Sequence, residues 1–312
     1  MAERQKEKKK QSKKRGSGQR LEAWKQALQM ELREHKSSFL VFSVLRLLVV
    51  VTMVLQFFNG NYENVYVCFL TLLLLVVPSL VQVTMKVELP TGLEIVMLLF
   101  VFSAEILGEI NAFYIRIPAW DTILHTLNGF LMAAIGFSLV DILNRHERFS
   151  FQMSPVFMAV VAFCFSMTIG VLWEFFEWGM DMFFHLDMQK DTVLHTISSV
   201  ALNPGGQNIP VVITGIRDMS IDGQSLGLGG YLDIGLYDTM KDLFVNFIGA
   251  VVFSAVGFFY VKSRGKGSFA KRFIPRLKNK DRDFLTIAEK EEEIRRAEES
   301  GNKTGKQTGK AE

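Results

Sequence analysis

Between residues 38 and 262 the chain is a succession of apolar runs, each close to the roughly 20 residues that a helix needs to cross about 30 Å of hydrocarbon. Such a stretch cannot be read as one soluble core. Backbone polar groups within hydrocarbon must be satisfied inside the segment, which favours helices. Six spans are predicted, at about 38–58, 64–84, 92–114, 120–143, 155–182 and 238–261. The Ile117-Pro118 turn separates the third from the fourth, and Pro155 opens the fifth at a favoured first-turn position. The expected fold is an all-α polytopic membrane helix bundle. The overall hydrophobic share of 49% hides a partition, because residues 1–37 and 263–312 are strongly polar.

Lys and Arg set the orientation. Residues 1–37 hold twelve of them and residues 262–312 hold fifteen. Lys86, Arg145 and Arg148 fall on the same side, whereas the other side has Arg116, Lys190 and Arg217 spread over a longer chain. Both termini are therefore expected in the cytoplasm. The polar lead is too long for a signal peptide and precedes a full span, so the first helix is expected to be uncleaved. Trp120, Trp173, Trp178, Tyr231 and Tyr237 collect at the expected outer boundary, where amphipathic rings prefer to sit. Cys68 and Cys164 lie in apolar runs and read as small buried residues, which excludes a disulfide framework or a zinc–thiolate motif.

Three parts are distinguished: a cytoplasmic basic arm (1–37), a membrane domain (38–262) and a cytoplasmic charged tail (263–312). Residues 1–20 are expected to be unstructured. Leu21, Trp24, Leu28 and Leu32 form a helical stripe that suits an interfacial helix on anionic lipid headgroups, the alternative being a solvated lead-in. Nucleic acid is not an expected partner, since the positive-inside bias already accounts for the charge. The tail is expected to hold a solvated helix. The long loop 183–237 faces outward, with a hairpin expected around Gly215 and Asp218–Gly223 expected as a turn. Within it, Asp191-Thr-Val-Leu-His195-Thr nearly repeats Asp121-Thr-Ile-Leu-His125-Thr, and a short helix there would carry His195 toward the site described next.

Ionisable groups gather at one end of three spans. Asp121 and His125 form one row, Glu174, Glu177 and Asp181 a second, and Asp238, Asp242 and Asn246 a third. Spacings of three and four residues put each row on one helix face. The topology sets all three at the same depth on the outward side, with Glu105 and Glu109 of the third span on the same approach. Gly129, Gly170 and Gly249 permit close helix contact. Asp121 and Asp238 also suit N-terminal caps, but acids at the end of the fifth span oppose the helix dipole. Trp173 and Trp178 bracket those acids and are placed to wall off a pocket. Clustered carboxylates repel, and the escapes are a divalent cation, shared protons or water. Histidine with carboxylates suits zinc, manganese or iron; carboxylates with Asn246 suit magnesium or calcium. The expected metal ligands are His125, Glu177, Asp238 and Asp242. Glu174 or Glu177 is the expected catalytic base, and Asp121, Asp181, Asn246 and His195 are supporting or alternative ligands.

The segments DTILHTLNGF, WEFFEWGMD and LDIGLYDTMKDLFVNFIGA, in that order, resemble the signature segments of the YjdF-like bacterial inner-membrane proteins. The resemblance covers roughly residues 90–262. It implies a multi-pass protein of the bacterial cytoplasmic membrane and marks Asp121, His125, Glu174, Glu177, Asp181, Asp238 and Asp242 as characteristic polar positions. It supplies no reaction. The basic tails and the length of loop 183–237 depart from the shorter members.

The rows fit a metal-dependent membrane hydrolase or transferase acting on a lipid or lipid-linked substrate, since the site opens at headgroup depth. A cation- or proton-coupled transporter is the alternative, although transporter sites usually lie near the midplane. A structural or assembly factor would use the tails but leaves the acid rows without a role. There is no P-loop, HExxH motif or nucleophile elbow.

Overall fold

Long apolar runs become helices, and proline, glycine and asparagine set where they break. The computed structural model describes residues 21–144, 153–263 and 268–295; the arm 1–20, expected to be unstructured, lies outside them. The helices before the long loop are α1 (21–34), α2 (Lys36–Phe58), α3 (Tyr62–Leu74), α4 (Val77–Met85), α5 (Thr91–Phe102), α6 (Phe113–Arg116), α7 (Trp120–Asn144) and α8 (Pro155–Phe184), with strand β1 (Val87–Glu88) after α4. The loop holds β2 (Thr192–Leu194), β3 (Thr196–Ser199), β4 (Val211–Thr214), β5 (Ser220–Ile221), β6 (Gln224–Ser225) and β7 (Tyr231–Asp233). After it come α9 (Leu236–Lys262), β8 (Arg276–Leu277) and α10 (284–295).

Among the described residues, five helical stretches are long and apolar enough to cross a membrane: Lys36–Phe58, Tyr62–Met85, Trp120–Asn144, Pro155–Phe184 and Leu236–Lys262. The remaining expected span is the helical run 91–110, in which α5 passes into a π-helical segment, Ser103–Ile110, that carries Glu105 and Glu109. Pro78 explains the break inside the second stretch. Its ring would clash with the Leu74 carbonyl, and α3 ends at Leu74.

The chain forms two units. The first comprises Met1–Ile117, Phe137–Met158 and Val256–Glu312. Its core includes Phe42, Leu45, Val49, Cys68, Leu75, Leu98 and Ile106, contributed by α2, α3, α5 and the segments that follow the last two. A second cluster joins Ala23 and Ala27 of α1, Val83 of α4 and Ala288 of α10, with Trp24, Leu28, Phe284 and Leu285 packed against them. Trp24, Leu28 and Leu32 of the stripe on α1 are thus half-buried against protein, and Leu21 is exposed. The tail expected as a solvated helix is folded as well. β8 pairs antiparallel with β1, Lys86 Nζ lies 2.6 Å from Asp283, Arg282 reaches Glu88 at 2.5 Å, and Lys278 pairs with Glu31 in a buried contact.

The second unit comprises Pro118–Gly136 and Ala159–Ala255. Its helical part brings α7, α8 and α9 together on small residues. A Cβ at Gly129 would collide with the backbone carbonyl of Asn246, and one at Gly249 with that of Thr126. Gly170 faces the Asn246 side chain, where a Cβ would stand 2.8 Å from Nδ2. Asn246 is fully buried and accepts a bond from Asn128 Nδ2 at 3.2 Å, while Ser166 Oγ donates to the Gly129 carbonyl at 2.8 Å. Phe130 and Phe253 pack edge to face below, with centroids 5.0 Å apart. Cys164 is exposed on α8, unlike the buried Cys68.

In the loop, β4 does end at Gly215, but it pairs back with β3 instead of forward across the glycine. The tight hairpin is β5–β6, turning at Asp222-Gly223. Both residues have positive φ, 54° and 80°, as the two-residue turn that matches strand twist requires. The Asp191–His195 stretch is not a helix: β2 pairs with β7, and β-branched Thr192 and Val193 suit that strand.

Candidate functional site

Three helix ends converge above the glycine contacts. Asp121 and His125 lie in the first two turns of α7, Glu174 and Glu177 near the end of α8, and Asp238 and Asp242 in the first two turns of α9. Spacings of three (Glu174, Glu177) and four residues turn each pair toward the centre, and Gly129, Gly170 and Asn246 hold the helices close one turn deeper.

His125 is the hub. Its Nε2 lies 3.4 Å from Asp121 Oδ1 and 3.9 Å from Asp242 Oδ2, and its Nδ1 lies 3.9 Å from Glu174 Oε1. Two trios result, Asp121–His125–Asp242 and His125–Glu174–Glu177, each with one ligand atom per residue within 4.8 Å of the others. Metal–ligand bonds near 2.0–2.2 Å allow ligand atoms that far apart to close on one cation with small side-chain adjustments. Glu174 is 5% exposed and Asp242 1%. Glu174 Oε2 and Asp242 Oδ1 have no hydrogen-bond partner among the described residues. Buried carboxylate oxygens without a partner are costly, so both belong to a site that takes a cation, a proton or water.

Sequence reasoning missed Lys241. Its ammonium lies 3.1 Å from Asp121 Oδ2, 3.3 Å from Asp238 Oδ1 and 3.6 Å from Asp242 Oδ1, the last an ion-pair distance beyond hydrogen-bond reach. The signal was present: a lysine inside a spanning helix is expensive unless paired, and Lys241 follows Asp238 by three residues and precedes Asp242 directly.

The remaining expected residues divide. Asp238 is buried beside the cluster, but Oδ2 accepts the Lys190 backbone N–H at 2.8 Å and Oδ1 faces Lys241. It is not the cap of α9, since Asp233 accepts the Tyr237 N–H at 2.9 Å. Asp181 accepts the backbone N–H groups of Met188 and Gln189 at 2.7 and 2.8 Å, and so fixes the chain reversal after α8. Asn246 holds the helix contact below. His195 sits between β2 and β3, exposed, with Nδ1 3.0 Å from the Ile216 carbonyl. Trp173, itself exposed, donates from Nε1 to Glu177 Oε1 at 2.8 Å, whereas Trp178 packs edge-on against Phe183.

A groove of about 420 Å³ runs beside the cluster between α7 and α9, lined by Thr122, Ile123, Thr126, Leu127, Phe130, Gly249 and Val252. It starts one residue from Asp121, and from Thr122 to Phe130 it descends about 12 Å along α7.

No curated protein and no solved structure matches the chain. The family described as "Predicted membrane protein (DUF2238)" matches residues 40–263. That match takes in every residue of the cluster and most of the chain, which therefore belongs to this family of membrane proteins.

Proposed function

We propose that the His125 cluster binds a divalent cation, and that the protein is a metal-dependent hydrolase or transferase acting on a lipid or lipid-linked substrate at the outward face of a bacterial cytoplasmic membrane. One observation carries this reading. A half-buried imidazole lies between carboxylates, two of which keep a buried oxygen without a hydrogen-bond partner among the described residues, Glu174 Oε2 and Asp242 Oδ1. That donor set, one nitrogen and several carboxylate oxygens contributed by facing helices, suits zinc, manganese or iron. A cation there would supply a Lewis acid for a phosphoryl or carbonyl oxygen.

The chain's own residues would do the rest. His125 and Glu174 would hold the cation. Trp173 occupies Glu177 Oε1, leaving Oε2 to bind the cation or take a proton from water. The apolar groove between α7 and α9 has the character to take a hydrocarbon chain while the polar headgroup meets the cluster. The Lys and Arg distribution favours an outward-facing cluster with both termini in the cytoplasm. Transit of a cation or proton is less well supported, because helix backbones meet directly below the cluster at Gly129, Asn246 and Gly249.

The test is elemental analysis of the protein purified in detergent without chelators, wild type against His125→Ala and Glu177→Ala. The expected result is a transition metal bound near stoichiometrically in the wild type and lost from both variants. A wild type without metal, even after incubation with zinc and manganese, overturns the reading.

A further inference from the structure

We propose that Lys241 is a tethered cation filling one half of the cluster, so that the chain holds a single divalent ion, on His125 Nδ1, Glu174 and Glu177, and gains a second metal site when the ammonium is removed. This rests on the metal-binding reading above and specifies which residues bind the ion.

The two trios share His125 but differ in how their charge is met. In the first, Lys241 Nζ lies 3.1 Å from Asp121 Oδ2 and 3.6 Å from Asp242 Oδ1, with Asp238 Oδ1 at 3.3 Å on its other side. An ammonium and a divalent ion held by the same two carboxylates would repel strongly at that range. In the second, no Lys or Arg nitrogen among the described residues lies within ion-pair distance of Glu174 or Glu177; their partners are neutral or shared, the His125 ring, the Thr239 hydroxyl and the indole of Trp173. Glu174, 5% exposed, also keeps Oε2 without a partner. Uncompensated charge and an unused oxygen thus coincide on the Glu174 side.

The histidine fits this division. A metal-bound imidazole usually donates its other N–H to a carboxylate. Here Nε2 faces Asp121 and Asp242, so Nε2–H directed there leaves the Nδ1 lone pair on the Glu174 side. Lys241 is itself exposed, so its side chain has room to swing out. Asp242 Oδ1, buried and outside hydrogen-bond reach of the ammonium, is then the unsatisfied oxygen of the latent second site.

Metal stoichiometry, with zinc as the probe, tests the division. The full-length protein in detergent is titrated calorimetrically, and bound zinc per chain is counted after desalting. The expected counts are one for wild type, two for Lys241→Met and one for Lys241→Arg, which keeps the cation. Glu174→Gln should bind none and Asp242→Asn one, a pair that decides the assignment even if Lys241→Met does not fold. An unchanged count in a folded Lys241→Met, two ions in the wild type, or loss of zinc from Asp242→Asn with retention in Glu174→Gln overturns the proposal while leaving metal binding intact. No zinc in the wild type overturns both.

Discussion

Gly129 of α7 sits against the backbone of Asn246 of α9, so closely that a Cβ added there would collide with the Asn246 carbonyl oxygen and lie 2.8 Å from its carbonyl carbon. This contact fixes how near the acid row of α9 comes to His125. In a helix alanine is favoured over glycine by about 1 kcal/mol, so propensity alone predicts that Gly129→Ala stabilises. The collision is with backbone, which cannot rotate away, and overpacking of this kind costs about 1–3 kcal/mol. Gly129→Ala is therefore expected to lower the melting temperature in detergent and weaken metal binding together. Gly179 is the control: a Cβ there would meet only Phe183, at 4.0 Å. Gly179→Ala should leave stability unchanged or raise it by up to about 1 kcal/mol, with metal content intact.

Trp173→Phe removes the indole N–H that holds Glu177 Oε1 at 2.8 Å and keeps most of the ring. Loss of a group that orients a ligand typically weakens metal affinity by about 10–100-fold. The expected outcome is a zinc dissociation constant raised by about that factor, measured by competition with a chromogenic chelator, with little change in melting temperature. An affinity within about twofold of wild type would mean that Glu177 is not held for a ligand's role.

Asp181 reads from sequence like one more ligand on the α8 row, yet its two oxygens are taken by the Met188 and Gln189 backbone N–H groups. Hydrogen bonds to a charged acceptor contribute about 1.5–3 kcal/mol. Asp181→Asn keeps one acceptor oxygen and should cost part of that locally. The expected result is faster proteolysis within residues 183–237 and unchanged metal content. Metal loss equal to that of Glu177→Ala would return Asp181 to the ligand set.

The spans and the rows were legible for the same reason. Apolar length and three- or four-residue spacing are properties of one helix, and they survive whatever the helix packs against. Their convergence followed from alternating direction and from Gly129, Gly170 and Gly249, all three of which lie at close contacts. What sequence could not supply was the partner of each polar group. Asp181 and Asp238 carry the same signature as Glu177 and Asp242, but backbone N–H groups from the loop between α8 and α9 reach the first two. Gly215 marked the end of a strand correctly, while alternation gave no information on which strand would pair with it. The His195 motif matched the His125 motif at all but one position, but β7 captured its segment as a strand. The fold of the tail was the least visible, because Lys278 meets Glu31 across 247 positions and no local pattern encodes that.

The tail contacts make stability depend on pH in two opposed ways. Burial, helped by the nearby Glu94 and Glu34 carboxylates, holds the Glu31 carboxyl above the usual carboxylate range against the pull of Lys278. Burial also pushes Asp283 up, but bonds from Lys86 and Thr286 outweigh it and hold that carboxyl below its ordinary value. The ionised Glu31 therefore opposes folding at neutral pH, and this is relieved as pH falls through its raised native value. The contribution of Asp283 is complete above its unfolded value of about 3.9 and is lost as pH falls through the lower native one. Lys86 is half exposed, so the pair is screened and Asp283→Asn should cost only about 0.5–1 kcal/mol at pH 7. The wild type should gain stability from neutral to mildly acid pH and then lose it below about pH 4. Melting temperatures recorded across that range check this: Glu31→Gln should flatten the rise, whatever its cost in absolute stability from leaving Lys278 unpaired, and Asp283→Asn should flatten the fall. A wild-type profile without the mildly acid maximum, or variants whose slopes match it, would show that these two contacts do not govern how α1 and α10 are held.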